Sequence, residues 1–201
     1  PLNTAEPLAP LSSPDPAVPF LATLRAARSG VRLVPWLEAN REPVRKALRE
    51  HGAIHIRGFG IDSPAALRTL VEAFGAEPMR YDYASTPRTH LQDSVYTSTE
   101  YPPDQDIPMH NEMSYAPFWP RQIWLCCLTP ATRGGRSPFA DSQAVYQRLP
   151  TDLRDRFERH GVLYRRNFNT GLDLTWQETF GTDSRDEVER RFADSPSKLT
   201  W

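Results

Sequence analysis

The sequence predicts a mostly β protein with flanking helices, built on an antiparallel β core. Strand-like and helix-like segments are mixed along the chain without the regular alternation of an α/β sheet. Up to Leu128 the chain is rich in aromatic and β-branched residues that prolines interrupt, as in strands joined by long loops. No glycine-rich phosphate loop follows a strand, which argues against a doubly wound nucleotide-binding fold.

The composition is typical of a soluble globular protein, with 39% hydrophobic and 24% charged residues in a chain of 201. The 24 Lys and Arg residues nearly cancel the 25 Asp and Glu residues, so neither nucleic acid nor an anionic membrane is an expected partner. No apolar run approaches the roughly 18 residues of a membrane span. Cys126 and Cys127 are adjacent and would point to opposite faces of a strand, so we expect no mutual disulfide and a reduced, cytoplasmic protein.

The first elements are read from prolines and from the spacing of apolar residues. Six prolines in residues 1–19 indicate an extended arm or linker. Residues 36–49 have the apolar spacing of an amphipathic helix, and the alternating segment 53–60 is typical of a strand. A serine–proline pair opens a predicted helix over 64–74, and Gly75 is expected to cap its end.

The second half of the chain is predicted to mix strands and helices. The run QIWLCCL (122–128) is almost continuously apolar, as in a strand buried on both faces. The other expected elements are a short strand over 137–141, a helix over 142–159 interrupted at Pro150, a strand over 162–168 and a helix over 185–192.

The segment IPMHNEMSY (107–115) carries a candidate metal site. His110 and Glu112 are two residues apart, so on a strand their side chains share a face and converge on one point. One imidazole and one carboxylate with open positions suit Fe(II) in a 2-His-1-carboxylate facial triad. The alternative is a solvated or hydrogen-bonded His beside a solvated Glu, but a charged pair next to apolar sequence must be paired or metal-bound to be tolerated.

Three segments resemble one family of enzymes. The run VYTSTEYPPDQDIPMHNEMSY (95–115) is similar to the iron-binding region of the TauD/TfdA superfamily, closest to its SyrP-like and clavaminate synthase-like branch, in which Glu replaces Asp. Residues 120–150 and 176–182 continue the resemblance. It implies a double-stranded β-helix (jelly roll), of which residues 20–201 would form the N-terminal two-thirds.

The resemblance also implies chemistry: an Fe(II)/2-oxoglutarate-dependent dioxygenase that needs O2 and hydroxylates an unactivated C–H bond. His110 and Glu112 match two iron ligands. A carboxylate ligand argues for hydroxylation or desaturation over halogenation, because related halogenases carry a small residue there. Ser137 lies where the family places a hydroxyl that binds the 2-oxoglutarate carboxylate; a strand-edge hydroxyl after the Gly134-Gly135 turn is an equal reading.

The family's third ligand is a distal His, followed by an Arg that anchors 2-oxoglutarate. We expect this His beyond Trp201, because the closing residues are typical of the middle of a domain; a defective homologue is the alternative. His160 is interpreted as a structural residue at a helix end, where a cation suits the helix dipole. His51, His55 and His90, the last expected in a loop, are not assigned to iron.

The substrate is expected to be a small molecule, in this branch an amino acid that is free or tethered to a carrier protein in natural-product (antibiotic) biosynthesis. The segment leading to the iron site carries the candidate contacts Tyr96, Ser98, Glu100 and Tyr101. Arg165 and Arg166 are candidates for pairing with a substrate carboxylate or phosphate, although surface arginines are a common alternative.

Three other functions remain open from the sequence. A desaturase or cyclase on the same scaffold would share the iron site and differ in the fate of the substrate. A non-catalytic jelly-roll binding protein would have no reason to keep both members of the His-Asn-Glu triplet. A cupin-type zinc or manganese protein is disfavoured because no further His residues cluster with His110.

Overall fold

The computed structural model describes residues 17–27, 30–79, 88–100, 102, 104–168 and 174–201. Most of the expected proline-rich arm, and the candidate contact Tyr101, lie outside these residues. The chain divides into two compact units. The first takes in the described residues up to Pro78 together with Trp124–Ser137, and the second takes in Met79–Ile123 and Pro138–Trp201.

Five elements lie in the described part of the first unit. They are β1 (Leu21–Arg25), α1 (Leu33–Ala39), α2 (Arg41–His51), β2 (Ala53–Arg57) and α3 (Pro64–Ala73). β1 and β2 pair in parallel, from Leu21 opposite Ala53 to Arg25 opposite Arg57. The expected antiparallel core is therefore wrong for this sheet, because α1 and α2 supply the long crossover that a parallel pair requires.

The helices of this unit close over a small apolar core. The buried residues of this core are Leu33, Leu37, Val44, Leu70 and Phe74. The helix predicted over 36–49 is in fact two helices that break at Asn40, whose side-chain amide donates to the Trp36 carbonyl over 2.8 Å.

The helix predicted over 64–74 is confirmed as α3. Its N-cap Ser63 accepts a hydrogen bond from the Ala66 N–H. At the other end, the Arg41 guanidinium donates to the Ala73 carbonyl through Nε and Nη2, over 2.9 and 2.6 Å. These charged donors satisfy a carbonyl that the helix itself leaves without a partner.

The regular elements in the described part of the second unit are mainly helices. A small antiparallel hairpin, β3 (His90–Gln92) and β4 (Val95–Tyr96), is followed by α4 (Ser142–Arg148), α5 (Thr151–His160), α6 (Trp176–Phe180) and α7 (Arg185–Phe192). The predicted helices over 142–159, with a break at Pro150, and over 185–192 are confirmed. His90 is therefore on a strand, where its ring packs against Tyr96.

The strands predicted over 122–128, 137–141 and 162–168 are wrong: these segments are described and carry no strand. A strand requires a hydrogen-bonded neighbour, and these segments pair with none in the described part of the chain. Ile123 and Leu125 are 60% and 62% exposed, so the run is not buried on both faces. Trp124 turns inward instead and packs edge-on against Phe74, with ring centroids 5.1 Å apart.

The expected jelly roll is consequently not formed by the described residues, whose two sheets have two strands each. Cys126 and Cys127 are free thiols, as expected. Burial, and secondarily the neighbouring Cys127, raises the pKa of the Cys126 thiol. Among the residues that the structure describes, no helix is long and apolar enough to cross a bilayer.

Candidate metal centre

His110 and Glu112 bring a nitrogen and an oxygen donor close together. The His110 Nε2 and Glu112 Oε2 atoms are 3.8 Å apart. The sequence suggested that the pair lies on a strand, but it does not. Residues 105–111 have no regular structure and 112–115 form a turn. The two side chains converge because of how this loop is held, and not because of strand alternation.

The orientation of the His110 ring is set by its own backbone. Its Nδ1 lies 2.8 Å from the Pro108 carbonyl oxygen. A carbonyl only accepts, so Nδ1 carries the proton and Nε2 of the neutral ring carries the lone pair. This arrangement is common in metal-binding histidines, where the second nitrogen fixes the tautomer. The ring is 55% exposed, which leaves Nε2 accessible to an ion.

Glu112 is paired with a distant arginine. The Arg88 Nη2 atom lies 3.1 Å from Oε1 and 3.3 Å from Oε2 of the carboxylate. Both side chains are about one-fifth exposed. A partly buried carboxylate needs hydrogen-bond partners for its oxygens, and the Arg88 guanidinium supplies one to both of them.

The residue after Glu112 anchors the loop in the core of the unit. Met113 is 4% exposed and belongs to one buried cluster with Ala116, Phe180 and Val188. Its φ of +55° is in the left-handed region, and the Ala116 N–H closes the turn on the Met113 carbonyl over 3.0 Å. The tight turn sends Met113 into the core while Glu112 stays near the surface.

A second tether runs to the start of α4. The Ser142 hydroxyl donates to the Asn111 Oδ1 atom over 2.8 Å. Asp141 caps the same helix and accepts from the Gln143 N–H. Asn111, between the two candidate ligands, is thus fixed to a helix end 31 residues further along the chain.

The donors fit two positions of a three-ligand iron site. A neutral imidazole nitrogen and an ionised carboxylate are the ligand types that Fe(II) accepts in a facial triad. In the described ranges no third His, Cys, Asp or Glu joins them. His160 is the last residue of α5, in agreement with its structural interpretation, and His51 is the last residue of α2.

The remaining candidate residues are spread over the two units. Ser137 belongs to the first unit, whereas the donor pair belongs to the second, and its contact with 2-oxoglutarate stays a prediction. Tyr96 lies on β4 and is half-buried against His90. Ser98 is exposed after the strand.

Glu100 fastens its own loop to the hairpin. Its Oε1 atom accepts from the Thr97 hydroxyl at 2.8 Å and the Thr89 N–H at 3.2 Å. The side-chain hydrogen bonds, first that to Thr89 and then that to Thr97, lower the pKa of the Glu100 carboxyl. A role in substrate binding remains a prediction, and the carboxylate already has a structural one.

The two arginines after α5 have different surroundings. Arg165 is exposed in an irregular segment, which leaves it accessible. Arg166 packs inward: its guanidinium lies over the Tyr115 and Phe168 rings at 5.6 and 4.8 Å and donates to the Thr179 hydroxyl. Arg166 therefore helps to hold the core beneath the site, since stacked arginines stabilise aromatic clusters.

Arg88 was missed in the sequence interpretation. A carboxylate between Met109 and Met113 signals that some cation must accompany it. Nothing in the spacing indicates which of the chain's arginines is that cation, because Arg88 lies 24 residues before Glu112.

Comparison with known proteins agrees with the geometry. The sequence profile of the taurine catabolism dioxygenase TauD, TfdA family matches residues 13–198. The dapdiamide synthesis protein DdaC of Enterobacter agglomerans is 35% identical over 159 residues, covering 79% of this chain and 48% of that protein. A clavaminate synthase-like protein of Arabidopsis thaliana is 34% identical over 163 residues, covering 77% and 49%. This chain thus spans about half the length of these relatives, and it belongs to the TauD/TfdA family.

Proposed function

We propose that the protein is an Fe(II)- and 2-oxoglutarate-dependent dioxygenase that hydroxylates an unactivated C–H bond of a small molecule. The observation that carries the proposal is the convergence of His110 Nε2 and Glu112 Oε2 at 3.8 Å in a member of the TauD/TfdA family. A third ligand, a distal His, and an arginine for the 2-oxoglutarate carboxylate are part of the proposal.

The residues of the site have separable tasks. His110 and Glu112 would hold the iron, which would supply the activation of O2 and the oxidation of the substrate. The Pro108 carbonyl accepts a hydrogen bond from Nδ1 of His110, which orients the ring so that Nε2 faces Glu112 and would bind the metal. Met113 and Asn111 hold the loop rigid, and rigidity limits the cost of ordering the donors when the metal binds.

The proposed substrate is an amino acid, free or tethered to a carrier protein. The name of the Enterobacter relative, a dapdiamide synthesis protein, supports a place in natural-product biosynthesis. The exposed Arg165 and the segment that carries Tyr96 and Ser98 are proposed to contact the substrate. Glu112 supports hydroxylation or desaturation over halogenation, because its carboxylate takes the position that a halide would need.

The experiment that tests the iron site is an anaerobic titration with Fe(II) and then 2-oxoglutarate. We expect the visible charge-transfer absorption of an iron-bound keto acid in the native protein and its loss in His110→Ala. His160→Ala is the matched control, because it removes a helix-end histidine and should keep the absorption. A folded native protein that shows no absorption would contradict the proposal.

A second experiment separates the possible reactions. The loaded enzyme is supplied with O2 and with amino acids, free and carrier-bound, and succinate and product masses are followed. Hydroxylation adds one oxygen atom to the product, whereas desaturation removes two hydrogens. If none of the amino acids accelerates succinate formation, the proposed amino acid substrate is contradicted. The iron site is tested separately, by the titration above.

A further inference from the structure

Arg88 and Glu112 form an ion pair unlike the surface pairs found among the described residues. Arg68–Glu72 and Arg191–Glu187 each join residues one helical turn apart, and such exposed pairs contribute little to stability. Arg88 instead reaches across 24 residues to a carboxylate that is 21% exposed. A pair of this kind restricts where the carboxylate points.

The distances show how Arg88 contacts the carboxylate. One nitrogen, Nη2, lies at nearly equal distances from the two oxygens, 3.1 and 3.3 Å. It therefore lies close to the plane that bisects the two oxygens, in contact with both of them. A metal ion that chelates both oxygens at once must lie on that same plane, close to the guanidinium.

A metal that a single oxygen binds has a position beside Oε2. His110 Nε2 faces Oε2 across 3.8 Å, and an ion bound by Nε2 would meet that oxygen. Arg88 thus restrains Glu112, while Oε2 faces His110, where a metal could bind. The guanidinium does not lose its proton in proteins, so its positive charge next to the carboxylate is permanent.

We propose that Arg88 is a positioning residue for the metal site: it holds Glu112 so that the carboxylate binds iron through Oε2 alone, beside His110. The inference rests on the proposed iron site. Arg88 does not touch the metal and acts through Glu112. If the guanidinium instead competed with the metal for Glu112, replacing Arg88 would raise the metal affinity.

The first test measures anaerobic Fe(II) affinity in the native full-length protein and in variants. Partners that orient a metal ligand typically contribute about 10- to 100-fold to metal affinity, so we expect a loss of that size in Arg88→Gln. Arg88→Lys keeps the charge but not the planar fork, and we expect it to recover part of the affinity. Arg191→Gln is the matched control, because it breaks an ion pair away from Glu112, and it should bind as the native protein does.

A second readout distinguishes positioning from simple support of the fold. At saturating Co(II), the ligand-field spectrum reports the coordination of the metal, and we expect it to change in Arg88→Gln because Glu112 is free to chelate. The control Arg191→Gln should keep the native spectrum. An unchanged spectrum in Arg88→Gln would overturn the positioning role, even if its affinity were lower.

The outcomes separate the two proposals. If the native protein binds neither Fe(II) nor Co(II), the proposed iron site is contradicted, and so is the role of Arg88. If the native protein binds and Arg88→Gln binds equally well or more tightly, the positioning role alone is overturned. Thermal unfolding of each variant checks the fold, and Arg88→Lys carries the test if Arg88→Gln is unfolded.

Discussion

The Nε2 atom of His110 faces the Oε2 atom of Glu112 across 3.8 Å, in a loop that no strand supports. Each donor has a second contact that restrains it, His110 with the Pro108 carbonyl and Glu112 with Arg88. The donors are thus aligned before any ion arrives. Aligned donors lose little conformational freedom on binding, which favours metal affinity.

The two donors should respond differently to substitution by Gln. Glu112→Gln removes the charge that Arg88 pairs with, so we expect it to lose metal binding and to lower the free energy of unfolding by about 1–3 kcal/mol. His110→Gln should lose metal binding as well but change stability little, because the ring is largely exposed. Metal titration and urea unfolding of both variants check this, and equal stability losses would show that the ion pair does not matter to the fold.

The tether between Ser142 and Asn111 should restrain the loop that carries the donors. Ser142→Ala removes a hydroxyl that donates to Asn111 over 2.8 Å. The bond is exposed, so we expect a loss of only about 0.5 kcal/mol in unfolding free energy, together with faster amide hydrogen exchange over residues 109–113. Ser142→Thr keeps a hydroxyl and should retain native exchange; equal exchange in Ser142→Ala and the native protein would contradict the tether.

The capping box of α6 should be visible in a carboxyl titration. The Thr175 N–H and the Thr175 hydroxyl both donate to Glu178. Both hydrogen bonds lower the pKa of that carboxyl, the one from the N–H more than the one from the hydroxyl. A lowered pKa means that this stabilisation is complete at pH values above the ordinary glutamate pKa and is lost as the pH falls through the folded pKa.

Carbon-13 NMR should therefore find the Glu178 midpoint below the ordinary value. In Thr175→Val the hydroxyl is gone, and we expect the Glu178 midpoint to rise. The control is Glu187, whose pKa is lowered by Thr182 and Arg191 and should not move. An ordinary Glu178 midpoint in the native protein would show that the capping box does not persist in solution.

The turn after α3 should require glycine. Gly75 has a φ of +78°, and a Cβ there would lie 2.9 Å from the Arg45 Nη2 atom, which itself donates to the Phe74 carbonyl. We expect Gly75→Ala to lower the free energy of unfolding by about 1–2 kcal/mol, the typical cost of left-handed backbone for an L-residue.

Gly60→Ala is the matched control for this turn. Gly60 has no positive φ, and a Cβ at that position would meet nothing within 4 Å. Urea unfolding should find it close to the native protein or slightly more stable, because alanine restricts the unfolded chain. Similar losses in the two variants would contradict the geometric argument for Gly75.

The elements that sequence patterns predicted well are those with local signals. The helix over 64–74 begins at a Ser63 cap with Pro64 in its first turn, and the helix over 185–192 begins at Ser184. These boundaries depend on neighbouring residues alone. The strands expected over 122–128 and 162–168 depend on neighbours elsewhere in the chain, and their apolar residues do not specify one.

The same distinction applies to the metal site. The types of the two donors and their separation by one residue are properties of the sequence, and together with the surrounding segment they indicated the TauD/TfdA family, which comparison confirmed. The positions of the donors in space were decided by tertiary contacts. Met113 turns into the core, Ser142 holds Asn111, and Arg88 reaches Glu112 from 24 residues away. Contacts over such separations depend on how the whole unit packs, and no local spacing encodes them.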